Sequence, residues 1–187
     1  MTVDEQLNDI AKKLSSPAFV AKAGTMAADY IRMHIEAGSF APLSPVTQQF
    51  RGYGEPLKDT HRLVNSITGE IKDQQTASVG TTLIQAPILN NGGTITAKKN
   101  WLFIPGPRMR YYMRKFGYSA KDVLNGLRSS NFYVYRVGRT IVYRKKEKKA
   151  ESHVAFYLKK SVTIPARPFF YLTDEEAEVI FKECSQF

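Results

Sequence analysis

Three features of this sequence predict an α+β fold, with N-terminal and C-terminal helices packed on one face of a mainly antiparallel sheet. Apolar residues near the N-terminus recur at helical spacing. Several short runs between residues 67 and 164 alternate apolar with polar side chains, the period of half-buried strands. The chain then closes on an acidic segment, 173–184, that opens with a capping box.

Val3, Leu7, Ile10 and Leu14 step by four, three and four, which is one face of an amphipathic helix. Ser16 and Pro17 read as the cap and first residue of a second helix. Its inner face carries Phe19, Val20, Ala23, Met26, Ala27, Tyr30, Ile31 and His34, and Gly38 closes it. Ser44 and Pro45 repeat the cap signal for a short helix over 45–50. Asp59 or Thr60 offers a cap for another, docked by Leu63 and Ile67. Residues 67–71 and 76–82, split by polar 72–75, predict a hairpin. Residues 87–91 lead into the Gly92-Gly93 turn. Strands are expected at 101–104, 132–137 and 140–144, the last two joined by Gly138-Arg139. Residues 107–116 can be read as a helix, and 120–127 form a better one behind the cap Ser119. Residues 153–164 alternate with a break at Lys159-Lys160. The stretch S-V-T-I-P-A-R-P-F-F, 161–170, reads as a strand, a proline-stiffened arm carrying Arg167, and an aromatic anchor. Val162 and Ile164 are expected in the domain's core, and Phe169 and Phe170 are expected to anchor the last helix.

At 187 residues and 43% hydrophobic content the chain is expected to be one soluble domain, spanning 1–187, with residues 94–160 as a basic, aromatic insertion. No apolar run suits a membrane span and no signal-peptide core is present, so synthesis and assembly in a cytoplasm are expected. The single cysteine, Cys184, excludes an internal disulfide and a cysteine-built metal site. Net charge is +10, but residues 98–160 hold 17 Lys and Arg against three acids, while the remainder is mildly acidic. Such asymmetry suits a nucleic-acid or acidic-protein partner, and also suits a solvated surface.

Chemistry is sparse. His34, His61 and His153 do not pair at ligand spacing, and no H-E-x-x-H, Walker loop or G-x-S-x-G is present. Asp59, Glu70 and Asp73 could be imagined as a nuclease cluster, but a cap and a solvated hairpin explain them better. No catalytic residue, cofactor or metal is therefore expected. Tyr133, Tyr135 and Tyr143 lie near Arg136, Arg139 and Arg144, the composition of a sheet that could stack bases. With Lys145, Lys146, Lys148 and Lys149 these cations are the candidate contacts to DNA or an acidic partner, electrostatic in character.

Three upstream stretches carry a resemblance: A-P-L-S-P-V-T (41–47), P-L-K-D-T-H-R-L-V-N-S-I (56–67) and S-V-G-T-T-L-I-Q-A-P-I-L-N-N-G-G (78–93). Together with I-P-A-R-P-F at 164–169, and in that order, they resemble the virion morphogenesis (tail completion) family of Mu-like and related tailed phages. The chain departs from the family pattern at His61, where glycine is usual, at Gln85, where tyrosine is common, and at 89–91, where H-Q-F is common. The resemblance implies a non-enzymatic structural protein of the virion's head–tail junction, assembled in the bacterial host. It implies a ring, commonly hexameric, that meets connector or portal-side proteins and tail terminator or tube proteins, with genomic DNA passing through. A ring needs two unlike patches that meet head to tail. Arg167, Phe169 and Phe170 are the expected residues of one, and Trp101 marks the other. Arg167, between two prolines, is the residue expected to face a partner.

Overall fold

The computed structural model describes residues 16–45, 47–48, 54–147 and 149–186. The expected helix over 3–14 lies outside them, as does much of the one expected at 45–50, although Ser44 Oγ does accept from the Thr47 amide (3.3 Å). The fold is α+β, with helices and antiparallel strands. The chain divides into two compact units where one domain was expected: 1–42, 55–92 and 165–187 form the first, and 43–54 and 93–164 the second. The expected insertion, 94–160, is thus nearly the second unit's main segment. The strand at 161–164 belongs with it.

In the first unit, helix α1 (Pro17–Ala37) starts at Ser16, whose hydroxyl accepts from the Phe19 amide (3.2 Å). Val20, Gly24, Ala27, Ala28, Ile31 and Ile35 form its buried stripe. That stripe lies on a hairpin of β1 (Ile67–Ile71) and β2 (Ala77–Thr81), paired antiparallel from Ile67 with Thr81 to Ile71 with Ala77. Two glycines permit the close crossing. A Cβ on Gly24 would stand 2.8 Å from that of Ala77, and a Cβ on Gly69 would strike the Gly24 carbonyl.

Helix α2 (Arg62–Asn65) has only four residues, and its cap position falls two residues after Asp59 and one after Thr60. Its cap position is His61, in the left-handed region at φ 51°. Leu63 and Ile67 are buried, as their spacing predicts. Residues 87–91, expected only as the lead into a turn, fall in α3 (Ala86–Asn91), and Gly92 follows at φ 70°. Helix α6 (Asp174–Ser185) packs along α1 and has the expected capping box of Thr173 and Glu176.

In the second unit, β3 (Gly93–Thr96) pairs antiparallel with β8 (Ser161–Ile164). A separate four-stranded antiparallel sheet has the order β4 (Leu102–Pro105), β7 (His153–Lys159), β6 (Thr140–Lys145), β5 (Phe132–Val137). Among the described residues the antiparallel strands thus form three sheets, two of them in or at the edge of the region expected as a basic, aromatic insertion. Val162 and Ile164, expected in the domain's core, are half-buried in the small β3–β8 sheet.

Helices α4 (Pro107–Phe116) and α5 (Ala120–Ser129) pack on the four-stranded sheet through Met109, Val123 and Leu124, which meet Tyr143, Ala155 and Phe156. Gly106 brings the start of α4 close to β7, its amide donating to the Ala155 carbonyl (2.8 Å). Ser119 and Asp122 cap α5 reciprocally. No helix of the described residues is long and apolar enough to cross a membrane.

Candidate functional site

The arm at 165–170 is tied into the first unit by backbone and side-chain hydrogen bonds. Its Arg167 amide bonds to the carbonyls of Leu89 and Asn90, both at 3.1 Å. The Arg167 guanidinium turns back across the chain, donating to the carbonyl of Ala41 (2.9 Å) and that of Pro42 (3.3 Å). Asn90 completes the clasp: its Oδ1 accepts from the amides of Phe169 and Phe170, each at 3.0 Å. Phe169 drops into a core with Ala28, Ile31, Ile35, Leu63, Ile67 and Ala86.

The expectation that Arg167 faces a partner is corrected by this geometry. The residue is 5% exposed and holds two distant parts of its own chain together. Phe169, 1% exposed, is a core residue and offers no surface to a neighbour. Phe170 remains exposed and lines a cleft of about 450 Å³ with Ile84, Pro87 and Asn91. Asn90 was not singled out by its sequence, and the only local signal was its place just ahead of Gly92-Gly93.

His34 is packed and hydrogen-bonded, as its helical face suggests. Its Nε2 lies 2.7 Å from Glu176 Oε1 and its ring stacks on Tyr171 at 4.2 Å. Nδ1 is buried without a partner, which suits the tautomer protonated at Nε2 and donating to the carboxylate. Burial pushes the Glu176 carboxyl up. The Thr173 amide (2.9 Å) and His34 outweigh it and hold the carboxyl below its ordinary value. Burial likewise raises the Cys184 thiol, against the opposing charge of Lys22, so it is a poor nucleophile.

The nuclease trio is not assembled. Asp73 accepts from the Gln75 amide in the β1–β2 turn, with its carboxyl lowered by that bond and by Thr76, and Glu70 is exposed on β1. Among the described residues, no three metal-binding side chains come together.

The second unit arranges its cations around rings. Trp101 is half-buried with Lys160 Nζ 4.4 Å and Arg136 5.3 Å from its centroid, so this expected contact residue is covered by two of its own cations. Arg136 also donates to the Gly138 carbonyl (2.7 Å). Arg144 and Lys146 lie over Tyr133, at 5.4 and 5.7 Å. Lys145 is 3.8 Å from Glu147. Arg139 and Lys149 are exposed, and Lys148 lies outside the described residues. Tyr133 and Tyr135 remain exposed, but Tyr143 is 4% exposed and turned into the core, so it cannot stack a base.

A larger feature went unread in the sequence. Arg108, Tyr111, Tyr112, Lys115 and Phe116 share one exposed face of α4, while Met109 and Met113 face its core. The rings of Tyr112 and Phe116 stack at 6.1 Å, and those of Phe116 and Tyr118 at 5.5 Å. Lys115 sits 5.5 Å from the Tyr111 ring and 5.4 Å from that of Phe116. A groove of about 1040 Å³ runs beside this ladder. It holds Asp122, Glu147 and Glu151, the only acids between 94 and 160. No family model, curated protein or solved structure matches the chain.

Proposed function

We propose that this chain is a structural subunit of a phage head–tail junction, joining tail to capsid connector as a member of a homo-oligomeric ring. The observation that carries the proposal is the meeting of the four resembling stretches in one place. Arg167 from I-P-A-R-P-F bonds the carbonyls of Ala41 and Pro42 from the first stretch, and its amide bonds Leu89 and Asn90 from the third. Leu63 and Ile67 from the second stretch share a core with Ala86 and Phe169. Motifs with no catalytic group, spread over more than a hundred residues, have a common physical purpose if they specify one framework. A second detail supports the reading. His61 stands where the resembling family has glycine, and its φ of 51° is a conformation glycine adopts without strain.

The role is assembly, without catalysis or cofactor, and the partners are further copies, connector-side proteins and tail proteins. DNA contact through Arg136, Arg139, Arg144 and the lysines beyond them is the lesser reading, because three of these cations already cover rings of their own unit.

Particle images of the purified chain, with native mass spectrometry, test the ring. Closed particles with rotational symmetry, six-fold by the resemblance, are the expected result. A chain that stays monomeric at its highest soluble concentration and also fails to bind purified connectors would overturn it.

A further inference from the structure

We propose that the exposed face of α4 is one half of the contact between successive copies of this chain, and that the exposed face of α6 is the other. This rests on the ring reading given above.

The α4 face combines cations with uncovered rings. Tyr111, Tyr112, Phe116 and the following Tyr118 are each about half exposed, with Arg108 and Lys115 set among them. Four neighbouring aromatic rings in water are a costly surface for a chain to keep unless something covers them. Arg, Met, Tyr and Phe are also the residues enriched where proteins meet. The helix contains no acid, so its partner should be negative.

The α6 face fits that description. Its first turn carries exposed Asp174 and Glu175, while Glu176 turns inward to His34. Glu175, Glu178 and Val179 are exposed and fall three and four residues apart, on one face, with exposed Leu172 just ahead. It is acidic and partly apolar, where α4 is basic and aromatic. A phosphate chain is the other anionic occupant to consider. Running along the ladder, it would meet the carboxylates of Asp122, Glu147 and Glu151 in the adjoining groove. The α6 face is mixed, since exposed Lys182 follows Val179 on it, and so it can answer those acids as well as the cations.

The two patches also restrict symmetry. Two α4 faces brought together would oppose cation to cation, and two α6 faces acid to acid, so a two-fold pairing through either patch is repelled. Joining α4 of one copy to α6 of the next satisfies both, and that contact is head to tail, the kind that closes into rings.

Charge reversal in the full chain tests this, with oligomer mass as the readout. Arg108→Glu with Lys115→Glu makes one variant, and Glu175→Lys with Glu178→Lys the other. All four side chains are exposed, and thermal melts that match the wild type show that each variant is folded. Each variant alone is expected to need roughly 100-fold more protein to assemble. Mixed together they should assemble again, because each then presents a complementary face to the other. Variants that assemble like a ring-forming wild type overturn the α4–α6 contact and leave the ring reading standing, whereas a wild type that never assembles removes the ring reading itself. Loss of single-stranded oligonucleotide binding in the α4 variant, with its oligomer unchanged, would make the ladder a nucleic-acid surface and overturn the proposal.

Discussion

Arg167 shows how much depends on one side chain whose direction the sequence does not encode. Pro165 and Pro168 hold the backbone extended, and that much is local chemistry. Whether the guanidinium points out or in depends on carbonyls 125 and 126 residues away. Removing it breaks two charge-assisted bonds to the Ala41 and Pro42 carbonyls and empties the space that its buried side chain fills. Arg167→Ala should therefore cost about 2–4 kcal/mol in denaturant unfolding, and a change under about 0.5 kcal/mol would show the clasp to be incidental. Glu176 acts at the same scale. Its carboxyl titrates below the ordinary value, so the stability it adds is complete above that value and is lost as pH falls through the lowered one. Glu176→Gln should be less stable than wild type at neutral pH by about 1 kcal/mol. The gap should close on acidification below pH 4.5, where the wild type loses its advantage. A gap that persists there would assign the effect to shape and leave charge no part in it.

Among elements, those with local causes were legible and those with distant ones were not. Ser16, Ser119 and Thr173 cap helices as their spacing predicts, because a cap needs only a hydroxyl and the amide three residues on. The β1–β2 and β5–β6 hairpins were legible for the same reason, having short turns between alternating runs. His61 was not, since the left-handed region is uncommon for any residue with a side chain, even though histidine enters it more readily than most. The crossing of α1 over β1 was also hidden. Gly69 reads as an ordinary weak point in a strand, yet its missing Cβ is what lets the helix backbone approach. Gly69→Ala should push α1 off the hairpin at a cost of about 1–3 kcal/mol, read from thermal unfolding. A neutral result would show that the crossing has slack.

At the scale of the whole molecule, composition located the basic region, and the structure gives it a core of its own. Residues 93–164 have their own core of Met109, Val123, Leu124, Tyr143, Ala155 and Phe156, separate from that of Ile35, Ile67 and Phe169. Alternation announces that a strand has a buried face without saying which core receives it. For that reason Val162 and Ile164, expected in the domain's core, are instead half-buried on the β3–β8 ladder. The candidate surface was the least legible part. Tyr111, Tyr112 and Phe116 follow helical spacing that would serve equally for burial, and only the methionines packed beneath them reveal that the rings face outward.

Asn90 and Arg167 have one more consequence, which concerns inheritance. They fasten 89–90 to 167–170, the two points between which the chain leaves the first unit and returns to it. Just beyond, Gly93 is paired with Ile164 at the base of the β3–β8 ladder. Such a double fastening sets the separation of the two chain ends on the first unit's side. A change of length or charge between 93 and 164 leaves these bonds untouched, because their partners, among them the Asn90 amide oxygen and the Arg167 guanidinium, all belong to the first unit. Substitutions can therefore accumulate between 93 and 164 without loosening the bonds that close the first unit.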